Sequence, residues 1–482
     1  MKNKRILKYP VAILGLCLFM CAALLNPVYA QKGDCDCEET FDQMIVKLEA
    51  NYIGLKHFEA KGKGPEYEAR KATFSEQSAS VRGVDCAAFL QQFLDYFEDG
   101  HLYVIERPEY EGEKLDSIKA KISREKRSVE ELQNLLKAQK AEDADLAIGT
   151  YRDHTSHFIL VKERGEYKLY ITESTNENVQ PGELKASFKA VDGRFRGTYY
   201  TYGHLPRFMQ GGLYKEGTLL RIESLILIKT DTEFEREVGM VNFDNTNWPT
   251  VQKLDSENVL LYIPRFSVDN KVWKDLIQEN RKLLESAKNL IVDIRGNRGG
   301  NAIYFSIFDL FADSEMPGGR GEVLASQDNF EYFSRNLQYS KKIYQPVVDA
   351  IEQNMGQVVD GPLYPKRKYK RKKSSKIENV AILTDEACMS AAESFIIHSK
   401  QNSTLVKTFG SPTEGVIDYT SVNAVRLKSG RQNILFGYPT STLHKQIPNN
   451  GYNPTGMVPD VPIAASVKDK VSYIIDYYKQ GN

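Results

Sequence analysis

Leu290-Ile291-Val292-Asp293-Ile294 runs directly into Arg295-Gly296-Asn297-Arg298-Gly299-Gly300. Four of the first five residues are large aliphatics, and a glycine-rich stretch ends the run. That is the pattern of a short strand buried on both faces, as in sheets covered by helices. A glycine-rich stretch just beyond such a strand lets the backbone come close to a ligand and present its N–H groups. A second strand and loop lie downstream. Val380-Ala381-Ile382-Leu383-Thr384 precedes Asp385-Glu386-Ala387-Cys388-Met389-Ser390-Ala391-Ala392-Glu393. In α/β sheets ligands sit beyond the carboxyl ends of strands, so the two loops are candidates for one crevice.

Working outward, Val259 to Ile263 reads as a strand and Trp273 to Ala287 as an amphipathic helix. Ile303 to Ala312 and Ser390 to Lys400 read as helices, and Thr404 to Phe409 as another strand. This alternation predicts an α/β core over 236–482, a mixed sheet flanked by helices. Residues 38–98 read as helical, with Phe41, Ile45, Leu48 and Tyr52 on one stripe and Ala87, Leu90 and Phe97 on a second. A polar stretch from Ala60 to Arg82 separates the stripes. Between these regions lies 106–235. It opens with a charged, exposed helix over Lys114 to Lys140. Short strands punctuated by Arg164-Gly165, Pro181-Gly182 and Asp192-Gly193 follow, and predict a β-rich insert, a partly closed sheet. The basic run Lys366 to Lys376 reads as a solvated loop.

The chain of 482 residues exceeds one hydrophobic core. Residues 1–30 read as a signal peptide. Lys2, Lys4, Arg5 and Lys8 precede the apolar run Val11 to Leu25, and Val28-Tyr29-Ala30 offers a cleavage site after about Ala30. The expectation is export to the periplasm or the extracellular space, with no stable membrane span after cleavage and 31–105 as the first mature segment. Loss of the four basic residues leaves 60 basic against 64 acidic side chains, which argues against a nucleic-acid partner. Cys35, Cys37 and Cys86 could oxidise outside the cytoplasm, and the pairing is left open. Cys35-Asp36-Cys37 lacks zinc-ligand spacing, and His154 and His157 would not share a strand face, so no metal and no cofactor is expected.

Each chemical candidate also has a plain structural reading. Ser390 sits where a helix should begin, where free N–H groups favour negative charge. Yet Ser390-x-x-Glu393 is also a capping box. Loop 295–300 matches neither a phosphate-binding loop nor a dinucleotide fingerprint, and alone it is a turn. His101, in Asp99-Gly100-His101, ends the second helical stripe, where a lone histidine is ordinarily structural.

In combination these pieces resemble the C-terminal-processing (tail-specific) protease family, and more closely its tricorn-type branch. The resemblance covers residues 257–465. It rests on Val259 to Pro264 with Phe266, on Leu290 to Gly300, on Ser390-Ala391-Ala392-Glu393, on Phe409-Gly410 with Thr413-x-Gly415, and on Gly456-Met457-Val458-Pro459-Asp460. Outside that span, Asp99-Gly100-His101 resembles the branch's histidine motif, and Cys35-x-Cys37 with Phe41 and Asn51-Tyr52 resembles exported bacterial members.

The resemblance implies a crotonase-like, ClpP-like core and a serine-type peptidase acting on peptides or unfolded proteins. Ser390 would be the nucleophile and His101 the general base. The N–H of Ala391 with that of Gly299 or Gly300 would form the oxyanion hole. Asn453 stands where the branch carries an acidic residue, with Asp418 and Glu393 as supporting candidates. Val416 replaces the lysine of the lysine-dependent branch, which argues against a Ser–Lys dyad. No PDZ-like segment is recognisable, and an oligomer is compatible with the family. The alternative is a catalytically weak or inactive relative that binds peptides or glycans. A histidine base would ordinarily protonate near pH 6.5.

Overall fold

The computed structural model describes residues 36–481, except 83–84, 109–111, 143–144, 154, 192, 215–216, 218, 223–224, 231–247, 430–431, 444–450, 465–466 and 468. The signal segment 1–30, Cys35 and His154 therefore lie outside the described residues.

Six strands form the sheet of the core: β1 (Thr250–Lys253), β2 (Asn258–Tyr262), β3 (Asn289–Asp293), β4 (Asn379–Thr384), β5 (Val406–Gly410) and β6 (Val461–Pro462). Their spatial order is their chain order. β1 is antiparallel to β2, and every later neighbour is parallel. The sheet is thus mixed, and the fold is α/β.

Because side chains alternate across a strand, each strand divides its apolar residues between two faces. Leu261, Val292 and Ile382 lie on one face, against Trp273, Ile277 and Phe395 of the covering helices. Leu260, Ile291 and Leu383 lie on the other, against Ile474 of the last helix, Lys470–Lys479. Burial on both faces is why β3 reads as an unbroken aliphatic run. The indole N–H of Trp273 keeps a partner, Ser306 Oγ at 2.6 Å. The segment expected as a helix over Ile303 to Ala312 is a 3-10 helix, Ile303–Leu310.

β3 and β4 are neighbours with Asp293 beside Leu383, and Ile294 N–H donates to the Leu383 carbonyl at 3.0 Å. Their carboxyl ends, and so loops 295–300 and 385–390, open on the same side.

A second sheet joins the two ends of the chain. Tyr103–Pro108 pairs with Gln432–Thr442, which also pairs with Tyr419–Ser429 and Gly319–Leu324, and Val358–Tyr364 is the outer strand. The N-terminal helices pack here through Phe41, Leu48, Tyr52, Phe93 and Phe97 against Phe436 and Tyr438. The polar stretch expected only to separate two helical stripes contains a further helix, Gly64–Ser78. It is anchored by Tyr67 and Phe74, a spacing of two turns that leaves the rest of its surface polar.

The β-rich insert closes completely. Eight antiparallel strands between Gly149 and Lys229 form a barrel, not a partly closed sheet. Phe158 and Leu160 fill its interior. Ile159 and Val161 face outward, under Leu132 and Leu136 of the charged region. The consecutive apolar run 158–161 follows from both contacts. The charged region is two helices, Glu113–Arg124 and Val129–Glu142, each with one face on the barrel.

Cys37 and Cys86 form a disulfide across a sequence separation of 49. Reduction should lower the unfolding free energy by about 2–4 kcal/mol, because the unfolded chain regains the freedom of a long loop. Denaturant titration with and without reductant measures this. An unchanged midpoint would mean that the two cysteines are not paired in solution.

Candidate active site

The chain leaves β4 through a tight turn and starts the helix α1 (Ala391–Asn402) at Ser390. Ser390 has φ 56° and ψ −117°. A serine that merely caps a helix holds an extended backbone. A non-glycine residue at positive φ is uncommon and costs about 1–3 kcal/mol, which the surroundings must offset. They do so through hydrogen bonds. Ser390 N–H donates to Glu393 Oε2 at 3.0 Å, and its carbonyl accepts from Ser394 N–H at 2.9 Å. Both halves of a capping box are therefore in place, but around a serine whose backbone is not that of an ordinary cap. Among the described residues no side chain hydrogen-bonds the Ser390 hydroxyl.

Loop 295–300 lies directly against this turn. A Cβ on Gly299 would sit 2.8 Å from Ala391 N and 2.9 Å from Ser390 Cβ. Gly299 and Gly300 hold φ values of 88° and 129°, which L side chains rarely adopt. The two glycines are not equivalent as donors. Gly299 N–H is already committed to Asn297 Oδ1 at 2.8 Å. The N–H groups of Gly300 and Ala391 have no partner among the described residues. Of the two expected glycines, Gly300 is the one with a free donor.

His101 arrives from the other end of the chain. The strand Tyr103–Pro108 pairs Tyr103 with Gly437, which carries the preceding residues toward the start of Tyr419–Ser429. There His101 Nδ1 lies 2.7 Å from the Tyr419 carbonyl oxygen. A carbonyl only accepts, so Nδ1 carries the proton and Nε2 of the neutral ring keeps its lone pair. The ring is buried, at 7% exposure. Burial lowers its pKa to about 4, opposed by the Tyr419 hydrogen bond and reinforced by the charge of Arg298.

Ser390 and His101 are tied to one loop: Ser390 N–H also reaches the Val416 carbonyl at 3.2 Å, and Gly100 packs on the Val416 side chain. The pair is a shared neighbourhood, with no hydrogen bond formed between hydroxyl and ring.

The expected acidic-position residue does not touch the ring. Asn453 Oδ1 accepts from the N–H groups of Ile417 at 2.9 Å and Asp418 at 3.2 Å. Asp418 in turn accepts from Tyr452 N–H at 2.9 Å and Asn453 N–H at 3.2 Å. The two residues knit loop 416–418 to loop 451–453, and neither hydrogen-bonds the imidazole. The ring is oriented by a backbone carbonyl instead.

The nearby carboxylate is Asp99, whose Oδ1 is 4.0 Å from His101 Nδ1 and accepts His101 N–H at 3.0 Å. Tyr52 donates its hydroxyl to Asp99 Oδ2 at 3.0 Å. Burial pushes Asp99 up to about 7. Asp99 and Tyr52 carry no role in the motifs of the sequence, although an aspartate two residues before a histidine is a signal of such a contact.

Glu393 was named only as support, yet four bonds converge on it. Oε1 accepts from Thr413 Oγ1 at 2.6 Å and Gly415 N–H at 2.9 Å. Oε2 accepts from Ser390 N–H and, at 2.9 Å, from Val416 N–H. Among the described residues no group of three or more histidine, cysteine, aspartate or glutamate side chains could hold a metal ion.

A hydroxyl on a strained strand-to-helix turn, two orphan N–H groups beside it and a neutral imidazole on the adjoining loop can carry out acyl transfer. This is the equipment of a serine hydrolase. The model of peptidase family S41 matches residues 259–463, and over this segment the chain is similar to that family of peptidases. No curated protein matches it.

Three similar solved structures are distant. Mature CPAF in complex with lactacystin is 11% identical, with 92% of this chain and 98% of that one covered and a TM-score of 0.48. A putative peptidase from Parabacteroides merdae is 12% identical over 91% and 92%, with a TM-score of 0.40. The photosystem II D1 C-terminal processing protease is 11% identical over 89% and 94%, with a TM-score of 0.35.

Two outcomes are expected. Gly299→Val places carbon against Ala391 N and demands a forbidden φ, and Gly300→Val disturbs a free donor. Each should lower turnover by roughly 100-fold or more while the protein still melts cooperatively, because one oxyanion donor is worth that much. Turnover and melting temperature measured together decide it, and full activity in both variants would reduce the loop to a turn. Second, a base with a pKa of about 4 stays neutral well below pH 6.5. The acid limb of kcat/KM should therefore fall below about pH 5. A limb centred at the ordinary imidazole value would show that the ring is solvated, or that another group is the base.

Proposed function

We propose that the protein is an exported serine endopeptidase that hydrolyses peptide bonds in peptides or unfolded chains. Ser390 Oγ attacks the scissile carbonyl carbon and passes its proton to His101 Nε2. The carbonyl oxygen, now negative, is held by the N–H groups of Ala391 and Gly300. His101 returns the proton to the leaving amine, and the acyl-Ser390 ester is hydrolysed by water in the reverse order. Asp99, when ionised, favours the imidazolium that forms between these steps. The observation that carries the reading is the Ser390 backbone: a positive φ at a helix start is a cost that capping does not require.

Export is supported by the Cys37–Cys86 disulfide, which persists in oxidising compartments, and by the signal-like first 30 residues. Among the described residues no helix is long and apolar enough to cross a membrane. The catalytically weak alternative drew on Asn453 in an acidic position. Asn453 hydrogen-bonds backbone N–H groups in place of the ring, and the carboxylate near the imidazole is that of Asp99.

A serine-reactive phosphonate should label the protein at Ser390, found by peptide mass mapping. Ser390→Ala should abolish labelling and lower hydrolysis of an unfolded protein substrate by roughly 10,000-fold or more. Its stability should change by only about 1 kcal/mol. Absence of labelling together with unfolding of the variant would leave Ser390 a helix cap.

A further inference from the structure

The barrel touches both loops that meet at Ser390. On its strand Arg194–Tyr200, Arg194 Nη2 lies 3.4 Å from Glu414 Oε1, and the other oxygen of Glu414 accepts from Arg298 Nη1 at 3.0 Å. One carboxylate thus joins the barrel, loop 295–300 and the loop after β5. On a second barrel strand, Leu219–Ile222, Arg221 Nη1 donates to the Gly296 carbonyl at 3.3 Å.

The other polar bonds of this loop come from the core. Gly296 N–H donates to Asp385 Oδ1 at 2.9 Å, and Asn297 Nδ2 donates to the Ile263 carbonyl at 2.9 Å. Gly296, Gly299 and Gly300 all hold positive φ. A loop with three such glycines has wide freedom once released, so what fixes its peptide planes fixes where Gly300 N–H points. Glu414 is nearly buried, with a side-chain exposure of 10%, whereas Arg194 is at 47% and Arg298 at 32%. The Arg194 bond is thus the more readily broken arm, and the Arg221 bond acts directly on the backbone.

We propose that the barrel is a positioning arm of the hydrolytic site. Arg221, through the Gly296 carbonyl, and Arg194, through Glu414 and Arg298, hold loop 295–300 so that the N–H groups of Gly300 and Ala391 face one oxygen. This rests on the serine peptidase reading above. Neither arginine touches substrate. Both act through the loop, and their signature is a change in kcat without a change in substrate affinity, because oxyanion donors act on the transition state.

The test uses the full mature chain with Arg194→Gln, Arg221→Gln and both together, plus Arg221→Lys as the conservative variant. kcat, KM, the rate of phosphonate labelling and melting temperature are measured for each. The expected result is a fall in kcat and labelling rate of roughly 2- to 30-fold, largest in the double variant, with KM and melting temperature nearly constant. Arg221→Lys, which keeps a donor, should recover part of the loss. Unchanged kcat in the double variant overturns the proposal. So does a rise in KM alone, which would make the barrel a substrate-binding element. If the double variant does not fold, the single variants are read by the same criteria. A wild-type chain that neither hydrolyses nor labels defeats the peptidase reading itself, and the proposal with it.

Discussion

The Glu393 carboxylate is the joint on which the rest of the site depends. It is fully buried and accepts four hydrogen bonds, from the nucleophile turn on one side and from Thr413, Gly415 and Val416 on the other. Burial raises its pKa, and the four donors work against that rise. A carboxylate stripped of water keeps its charge only when its lone pairs are filled this way. Two loops distant in sequence are thereby locked together. The strain at Ser390 is tolerable because both of its sides are fixed: N–H to Glu393, carbonyl into the first turn of α1.

From this joint the order of the site spreads along one loop. Val416 accepts from Ser390 N–H and packs on Gly100, and Tyr419, three residues on, accepts from His101. Asn453 and Asp418 brace the same loop from behind. The histidine is positioned by backbone, and its neutrality by burial. Thr413 contributes twice, donating to Glu393 and accepting Met457 N–H at 2.8 Å. That pairing explains why Thr413-x-Gly415 and the stretch from Gly456 occur together in the sequence: each is half of one contact.

Much of the core was legible because both faces of its sheet are dry. β3 and β4 read as strands since their central positions, 290–292 and 380–383, are buried on both faces and apolar, and their loops read as a shared crevice because each follows such a strand. Closure of the barrel escapes the sequence because it is a relation between the first and last strands, and the pairing of Tyr151 with Lys229 leaves no local mark. The extra helix at Gly64–Ser78 escaped for the opposite reason: two buried aromatics anchor it, and two points define no stripe. Asn453 was assigned by position in a motif. Position identified the right loop and the wrong contact, because a side chain can reach either the ring or the backbone behind it.

The oxyanion donors show why function carried by backbone is the hardest to read. An N–H group belongs to nearly every residue, so Ala391 and Gly300 carry no chemical identity that marks them. What the sequence can record is the conformation that aims the donor, and it does so only where glycine is required. Gly299 and Gly300 look alike on that criterion, since both hold positive φ. The structure separates them by a side chain: Asn297 Oδ1 takes the Gly299 N–H and so turns Gly299 into the spacer that must lack a Cβ beside Ala391. One glycine is needed for room and the other for its donor. The residue that decides which is which is an asparagine whose side chain hydrogen-bonds neither the expected nucleophile nor the base.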